Sequence, residues 1–407
     1  MEQLSNIYTK GKRVEPYWYV IAVFGLIMAV ILINHLITGF TPSRIAFQIE
    51  VFNFSIFWYG IFIVGGIAMG SWVTARLAAE RAQFDFKEHV PPDLRKRPLK
   101  ALKLPEEIQR SLVKRKVLNL GNLLFEWGLS PDRLGLNKQG KKVVESKLKN
   151  TPNVLEGWIY DAPWRQWNPD FVWGGVAWVI LLGVIGARLY HVLTPSPSMS
   201  AEGIYSALDY FQNPMQLINI RSGGLGIYGA IIGGFLGLLL YTRRHHISAI
   251  AWADLAVVGM ALGQFIGRWG NFFNQELYGG VTNLPWGITI INRVPGTVYA
   301  DIERFPINST RFHPAFLYES LWSLLTFIVL LTLARRRRDD LQTGDLLALY
   351  LVFYAVGRIL LELIRLDSRT LSLAGIDLGI PVATLVSIII AVPMAFLLLW
   401  RHVIARN

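Results

Sequence analysis

The sequence predicts an all-α polytopic membrane protein with about eight transmembrane helices. Three observations predict this fold class. Hydrophobic residues make up 53% of the 407 residues, and they fall into blocks of about 20, the helix length that crosses a bilayer. Lys and Arg concentrate in alternate connections between these blocks. The chain also carries a net charge of +12, and a strongly basic apolar chain is not typical of a soluble enzyme.

The apolar blocks define the predicted spans in chain order. We interpret the first as a signal anchor, because its apolar run is too long for the core of a cleavable signal peptide. The fifth is the shortest. The eight spans are Tyr17–Leu36, Phe54–Ala78, Phe171–Leu193, Gly223–Tyr241, Ala251–Gly267, Ala315–Ala334, Leu346–Ile364 and Ile380–Trp400.

The distribution of Lys and Arg predicts the orientation of these spans. The basic connections include the stretch before the first span, residues 79–170 and Arg335–Arg338. The positive-inside rule places such connections, and both chain termini, in the cytoplasm. The connections poorer in Lys and Arg then form an outer-face loop region, which comprises residues 37–53, 194–222, 268–314 and 365–379.

Residues 79–170 form a long basic insert between two spans. Residues 81–167 hold 18 Lys and Arg against 10 Asp and Glu. Apolar residues at helical spacing predict helices around residues 108–124 and 141–148. We interpret the insert as a solvated cytoplasmic domain, or alternatively as an amphipathic surface that contacts anionic lipid of the inner leaflet. It contains no motif that indicates catalysis.

Composition also excludes several classes of function. The apolar content is too high for a disordered chain. The sequence contains no Cys, which excludes a disulfide framework, a thiolate nucleophile, an iron–sulfur cluster and a zinc site built on Cys. We predict no metal and no cofactor. Because membrane topology accounts for the basic charge, we also predict no nucleic-acid partner.

Two glycine series occur at intervals of four residues within the spans. Such spacing places glycines on one face of a helix and allows a neighbouring helix to approach closely. We interpret both as helix-packing surfaces rather than ligand sites. The series are Gly229, Gly233 and Gly237, and Gly259, Gly263 and Gly267.

A first candidate cluster is the glycine-rich segment 221–229, which contains Arg221, Gly224 and Tyr228. Glycines let the backbone approach a ligand closely, and amides at a helix start attract anions. The segment is alternatively a plain helix entry with an interfacial Arg and Tyr.

A second cluster, residues 267–279, gathers polar groups where an outer loop leaves the membrane. Arg268 can bind a phosphate through two parallel hydrogen bonds. Asn271 and Asn274 can hydrogen-bond ester or glycerol oxygens, and Glu276 can orient Arg268 or accept a proton. The alternative is an ordinary interfacial loop with a salt bridge.

The third and fourth clusters lie at the sixth and seventh spans. His313, six residues before Glu319, can relay a proton near neutral pH, although Glu319 can also simply complement a helix dipole. Tyr354, Arg358 and Glu362, with Arg365 nearby, occupy one helical stripe. An intramembrane Arg with a Glu one turn away indicates function, or alternatively a buried ion pair that fixes packing.

All four clusters map to the outer half of the predicted membrane. Independent structural features would be expected to scatter between the two sides. The sequence therefore predicts one site that faces the outer leaflet and binds an anionic lipid head group.

These motifs resemble those of the bacterial prolipoprotein diacylglyceryl transferase family. The second cluster is similar to the signature Gly-Arg-x-Gly-Asn-Phe-x-Asn-x-Glu-x-x-Gly, and it ends here at Gly279. The third resembles the family's His-Pro-x-x-Leu-Tyr-Glu and the fourth its Tyr-x-x-x-Arg-x-x-x-Glu. Two further segments, Phe57–Gly60 with Tyr59 and Gly186–Tyr190, resemble its Trp-Tyr-Gly and Gly-Gly-Arg.

The resemblance implies an enzyme of the bacterial cytoplasmic membrane that catalyses the first step of lipoprotein maturation. A diacylglyceryl group would move from the membrane lipid phosphatidylglycerol to the lipobox cysteine of a preprolipoprotein signal peptide. A thioether would form and glycerol phosphate would leave. Because the attacking sulfur belongs to the substrate, an enzyme without Cys fits this reaction.

The resemblance also implies a domain organisation. Residues 1–50 would be an extra N-terminal anchor with an outer loop, and residues 51–78 the first helix of a seven-helix family core. Residues 79–170 would be an insert, and residues 171–407 the rest of the core. The family core has its N-terminus outside, whereas the extra helix here would place it inside.

Roles carried over by position complete the prediction. Arg268 and Arg358 would hold the phosphate. Residues with a predicted catalytic role are Arg268, Arg358, Glu276, Tyr228 and His313. Residues predicted to bind substrate are Tyr59, Arg221, Gly224, Asn271, Asn274, Gly279, Tyr354 and Glu362.

The identity of the general base stays open at the level of sequence. Well-known family members often have His where this chain has Tyr228, and a phenol with a pKa near 10 is a poor base unless it is strongly shifted. Tyr228 could instead position lipid while Glu276 or His313 accepts the proton. The substrate thiol could also ionise in the field of the arginines.

Two other function classes compete. A transporter or flippase would show inverted repeats and charges near the bilayer centre, and neither is apparent. A lipid-binding protein without catalysis is the second competitor, favoured by Tyr228 and disfavoured by the complete signature.

Overall fold

The computed structural model describes residues 14–52, 54–195, 199, 203–212, 214–218, 224, 226–293, 297–366, 370–373 and 376–404. The chain divides into two compact units. We call Ala75–Ala249 the central unit. The flanking unit combines the described residues up to Thr74 with those from Ile250 onward.

The described chain is mainly helical. The helices are α1 (Pro16–Thr38), α2 (Trp58–His89), α3 (Pro92–Lys96), α4 (Glu106–Lys114), α5 (Leu120–Leu129), α6 (Lys138–Lys149), α7 (Glu156–Tyr160), α8 (Phe171–Leu193), α9 (Ala207–Gln212), α10 (Pro214–Ile218), α11 (Ile227–Arg244), α12 (Ala249–Gly267), α13 (Trp269–Asn274), α14 (Ala315–Arg336), α15 (Asp345–Glu362) and α16 (Val382–Leu399). Short 3-10 turns and one π turn lie at Glu50–Phe52, Leu99–Leu102, Pro131–Leu134, Pro163–Trp167, Val298–Ala300, Arg338–Asp340 and Trp400–Ile404.

The fold class predicted from sequence is confirmed. Six helical stretches are long and apolar enough to cross a membrane: Pro16–Thr38, Trp58–His89, Phe171–Leu193, Ala249–Asn274, Ala315–Arg336 and Val382–Ile404. Helices α11 and α15 cover the two other predicted spans but are not among the six. The count of eight spans therefore stays a prediction.

Two antiparallel hairpins accompany the helices. Strands β1 (Ile45–Ile49) and β2 (Phe54–Phe57) pair with Gln48 opposite Ser55. Strands β3 (Thr370–Leu373) and β4 (Ile376–Pro381) form the second hairpin. The second predicted span consequently begins four residues too early, because its first four residues, which include two Phe and one Ile, pair as a strand instead of joining α2.

Local signals explain where the long helices begin and end. Helix α1 starts with Pro16 in its first turn and ends at Gly39, whose left-handed backbone donates its amide to the His35 carbonyl at 2.7 Å. Helix α2 continues to His89, shortly before Pro91 and Pro92, since a proline cannot extend a helix.

The insert contains short helices around an apolar core within the central unit. The predicted helical stretches are confirmed as α4, α5 and α6. Asn119 and Asn137 cap α5 and α6, each accepting a backbone amide at 2.7 Å. Fully buried side chains of this core include Leu112, Leu120, Leu123, Leu124, Leu148 and Trp164.

The glycine series act in helix packing, as predicted. Within the flanking unit, a Cβ on Gly70 of α2 would lie 2.5 Å from the carbonyl oxygen of Gly259 on α12, and one on Gly66 would lie 2.8 Å from that of Gly263. Within the central unit, Gly233 and Gly237 of α11 meet the backbone of α8 in the same way. Larger side chains at these positions would force the helices apart.

Candidate functional site

The flanking unit brings the second, third and fourth sequence clusters together. The amide of Gly279 donates to the carbonyl of His313 at 2.9 Å, and the His313 amide donates to Gly280 at 3.0 Å. Gly280 in turn donates its amide to the carbonyl of Ile364, just past α15, at 2.9 Å. These backbone bonds connect the signature loop to the start of α14 and the end of α15.

Arg268 lies between α12 and α13 and pairs with a carboxylate on α14. Its Nε lies 2.5 Å from Oε2 of Glu319, whose side chain is only 8% exposed. The described part of the chain gives Arg268 no other hydrogen-bond or ion-pair partner for its side chain. The two terminal nitrogens of the guanidinium are therefore available to a ligand.

Arg358 forms the second ion pair of the site. Its Nη2 lies 3.0 Å from Oε2 of Glu362, one turn further along the chain. The Glu362 side chain is 4% exposed, and neither of its oxygens has a partner in hydrogen-bond geometry among the described residues. This carboxylate thus balances Arg358 by charge, and among the described residues the Arg358 side chain has no further partner.

Both arginines line one cavity, which is partly open. Helices α12, α14 and α15 form its walls. The lining residues are Gln264, Arg268, Glu319, Trp322, Ser323, Thr326, Tyr350, Tyr354, Gly357, Arg358 and Leu361. The cavity therefore combines two guanidinium groups, one buried carboxylate and largely apolar walls, an arrangement that suits an anion attached to an apolar group.

Glu276 does not orient Arg268 by an ion pair, one of the roles the sequence allowed. It is exposed and accepts hydrogen bonds from Nδ2 of Asn271 at 2.8 Å and of Asn274 at 3.3 Å. Glu319 is the partner of Arg268 instead. The three signature residues Asn271, Asn274 and Glu276 thus form a hydrogen-bonded cluster of their own.

Aromatic residues complete this region. The phenol ring and Cα of Tyr59, at the start of α2, lie so close to Gly270 that a Cβ there would be 2.7 Å from the ring. The glycine of the signature is therefore required by this contact. On α15, Tyr354 is exposed and stacks on Tyr350, with ring centroids 6.2 Å apart.

His313 lies in a separate hydrogen-bond chain. Its Nδ1 lies 3.1 Å from the hydroxyl of Tyr318, which also accepts a hydrogen bond from the indole of Trp286 at 2.9 Å. Gly279 packs against it, because a Cβ on Gly279 would be 2.9 Å from the His313 Cβ. His313 is thus fixed at the edge of the signature loop rather than in the cavity lining.

The first cluster belongs to the central unit. Arg221 lies outside the described residues, whereas Gly224 and Tyr228 are described. The buried guanidinium of Arg188 donates to the carbonyl of Gly224 at 2.9 Å, and Tyr190 packs against Tyr228 with ring centroids 5.7 Å apart. A single site formed by all four clusters stays a prediction.

Gln264 and Tyr350 are among the lining residues that the sequence did not single out. Gln264 donates from Nε2 to the hydroxyl of Tyr350 at 2.8 Å, and both line the cavity. Helical spacing could have identified both, because Gln264 is one turn before Arg268 and Tyr350 is one turn before Tyr354. Among the described residues, no group of three or more His, Asp or Glu could hold a metal ion.

The fold and site define a class: a polytopic helical membrane protein with two arginines in one cavity. The prolipoprotein diacylglyceryl transferase family model matches residues 154–400. The chain therefore belongs to the prolipoprotein diacylglyceryl transferase family. The N-terminal helix α1 and most of the insert lie outside the matched residues.

Individual relatives agree with this membership. A phosphatidylglycerol–prolipoprotein diacylglyceryl transferase of Chloroflexus aggregans is 39% identical over 247 residues, which cover 58% of this chain and 77% of the relative. One from Nostoc sp. is 38% identical over 236 residues, with coverage of 54% and 76%. One from Paenarthrobacter aurescens is 40% identical over 214 residues, with coverage of 52% and 63%.

Proposed function

We propose that this protein transfers the diacylglyceryl group of phosphatidylglycerol to the lipobox cysteine thiol of a preprolipoprotein. The observation that carries the proposal is the cavity in which Arg268 and Arg358 both present unsaturated guanidinium groups. Family membership and the names of the relatives support the same reaction.

The proposed reaction is a displacement at the glyceryl carbon that carries the phosphate. The cysteine sulfur forms a bond to this carbon while the bond from carbon to phosphate oxygen breaks. The oxygen keeps the electron pair, and glycerol phosphate leaves as an anion. Two guanidinium groups aimed at the phosphate would stabilise the charge that develops on the leaving group.

Glu319 and Glu362 fit this scheme as positioning groups. Each lies within 3.0 Å of an arginine nitrogen and is almost fully buried. A buried carboxylate fixes the guanidinium in place while leaving its other donors for the phosphate. We propose that Tyr59, Tyr354, Asn271, Asn274 and Gly279 shape the surrounding space, with Glu362 as part of the substrate-binding set.

Three residues are candidates for the group that removes the thiol proton. Glu276 is exposed and held by two asparagines, and His313 is held by Tyr318. Tyr228 is exposed at the start of α11. We expect Tyr228→Phe to keep full transfer activity if the phenol is neither base nor essential ligand. Loss of more than about tenfold in kcat would assign it a proton-transfer role.

The proposal includes a cellular location. Six apolar helical stretches make the chain a membrane protein. The bias of Lys and Arg supports both termini and the insert in the cytoplasm and the site at the outer face of a bacterial cytoplasmic membrane. Reagents that label cysteine from one side only, applied to single-Cys variants of this Cys-free chain, test that orientation.

A direct assay tests the activity. Purified protein in detergent is given phosphatidylglycerol and a lipobox peptide, and the peptide is analysed by mass spectrometry. We expect the mass of a diacylglyceryl adduct, stable to mild alkaline cleavage of thioesters. A peptide with Ser in place of the lipobox Cys is the control and should give no adduct. Absence of the adduct, where the Nostoc sp. relative forms it, contradicts the proposal.

A further inference from the structure

Helix α1 lies outside the residues that match the family, yet it contacts the signature segment. Its buried residues, Tyr17, Ile21, Met28 and His35, follow one face of the helix. Phe24 on the same helix packs edge-on against Phe265 of α12 and Trp269 of α13, with ring centroids 5.6 and 6.4 Å apart. The helix is thus part of the flanking unit and not a detached anchor.

His35 is the polar end of this contact face. It is 1% exposed, although it is a polar residue in a helix whose other side is largely exposed. Its Nε2 accepts a hydrogen bond from the backbone amide of Thr289 at 3.0 Å. Its Nδ1 lies 3.1 Å from both the carbonyl of Phe40 and the hydroxyl of Thr41.

These partners define the form of the ring. Because an amide only donates, Nε2 of His35 must be the unprotonated nitrogen. Because the carbonyl of Phe40 only accepts, Nδ1 carries the proton. His35 is therefore a neutral imidazole whose two nitrogens connect the end of α1 to the segment around Thr289.

The segment around Thr289 leads directly to the candidate site. Its neighbour Ile288 exchanges two backbone hydrogen bonds of 2.9 Å with Phe312. The next residue, His313, bonds through its backbone to Gly279 and Gly280 of the signature loop. A displacement at Thr289 is consequently transmitted through paired backbone to residues of the site.

His35 also contacts the signature helix itself. Its ring meets Phe272 of α13 edge-on, with centroids 5.2 Å apart. Phe272 is buried and follows Asn271, whose amide donates to Glu276. One side chain of α1 thus supports both α13 and the loop that returns to it.

We infer that His35 is a positioning residue for the transferase site, and that α1 holds the signature segment in place through this residue. The expected effect of His35 on activity rests on the proposed function. Its expected effect on structure rests on geometry alone. Because small displacements of reacting groups lower rates strongly, loss of the Nε2 contact should lower kcat about tenfold. KM for phosphatidylglycerol should change less than threefold, because Arg268 and Arg358 are untouched.

A pair of matched variants separates the two nitrogens of the ring. The amide oxygen of Gln reaches about as far as Nε2 of His, and that of Asn about as far as Nδ1. His35→Gln should therefore keep the bond from Thr289 and retain at least half of the activity. His35→Asn should lose that bond and show the tenfold fall in kcat. Equal activity of the two variants would overturn the inference.

Met28→Ala is the control for a loss of stability, because it removes a buried side chain from the same face of α1. This variant should lower the thermal unfolding temperature at least as much as His35→Asn but keep kcat within threefold. If Met28→Ala loses kcat as His35→Asn does, the effect follows stability and His35 has no positioning role.

Hydrogen–deuterium exchange gives a readout that does not depend on activity. In His35→Asn, exchange should rise at least tenfold in peptides covering residues 285–291 and 269–276, and it should stay near that of the unsubstituted protein in His35→Gln. Unchanged exchange in His35→Asn would overturn the inference. If the unsubstituted protein gave no adduct, the proposed function would fail while this exchange experiment would still decide the role of His35.

Discussion

The ion pairs of the candidate site and those of the insert use the same residue types in opposite surroundings. At the site, the carboxylates of Glu319 and Glu362 are 8% and 4% exposed. In the insert, Arg110 and Glu106 are 76% and 83% exposed. An exposed pair contributes about 0–1 kcal/mol, whereas removing one partner of a buried pair costs about 3–5 kcal/mol.

This difference separates charges that keep a domain soluble from charges that hold a site. The insert is dense in Lys and Arg, which surround an apolar core. The two arginines between α12, α14 and α15 line one cavity, and the carboxylates that pair with them are almost fully buried. The number of charged residues in a region therefore indicates its function less well than the burial of those residues does.

The largest effect is expected from Arg268→Ala. Loss of the guanidinium removes a donor aimed at the leaving phosphate, and transfer should fall at least 100-fold. Arg268→Lys keeps the charge without the planar pair of donors, so its rate of transfer should fall at least tenfold. Initial rates of adduct formation measure both. An Arg268→Ala variant within threefold of full activity would contradict the role of Arg268.

Removal of the carboxylate behind Arg268 should have the next largest effect. Glu319→Ala should lower the free energy of unfolding by about 1–3 kcal/mol, less than for a fully buried pair because Arg268 is partly exposed. Transfer should fall about tenfold as the guanidinium loses its position. Denaturation in detergent and initial rates measure these effects.

Glu319→Gln is the matched control for that variant, since it keeps the shape and an acceptor oxygen. It should retain more activity than Glu319→Ala. Equal losses in the two variants would mean that the oxygen contact to Arg268 contributes nothing.

A smaller effect is expected at the hydrogen bond between Gln264 and Tyr350, which also line the cavity. Gln264→Leu leaves the buried hydroxyl of Tyr350 without its donor and should cost about 1–3 kcal/mol of unfolding free energy. The double variant with Tyr350→Phe removes both polar groups and should cost less than the sum of the single changes. Strict additivity would show that the two groups do not interact.

The smallest effect is expected in the insert. Arg110→Ala removes an exposed pair with Glu106 and should change unfolding free energy by less than about 0.5 kcal/mol, with transfer unchanged. The same two assays measure it beside Glu319→Ala. A fall in transfer for Arg110→Ala would break the contrast and assign the insert surface a part in the reaction.

Much of the site could be predicted because its residues stand in local motifs. Arg358 and Glu362 are one turn apart, so helix geometry alone predicted their pairing, and the structure has it at 3.0 Å. Asn271, Asn274 and Glu276 are likewise neighbours in sequence and in space. The contact of Tyr59 with Gly270 joins two motifs that the family resemblance named separately.

The partner of Arg268 shows where such reasoning ends. Glu276 is eight residues away and Glu319 is 51 residues away along the chain, yet Glu319 forms the ion pair. The bonds from Thr289 to His35 and from Gln264 to Tyr350 join residues still further apart. The strand β2 was missed for the same reason, because a strand needs a partner elsewhere in the chain.

Hydropathy and local motifs specify the membrane fold class, the helical blocks and the residues that define the family, because both are properties of neighbouring residues. Which carboxylate pairs with Arg268, which residues line the cavity and how α1 contacts the signature helix depend on how the helices pack. The physical reason is that a buried polar group takes its partner from whichever helix packs beside it, and that depends on the whole unit rather than on local spacing.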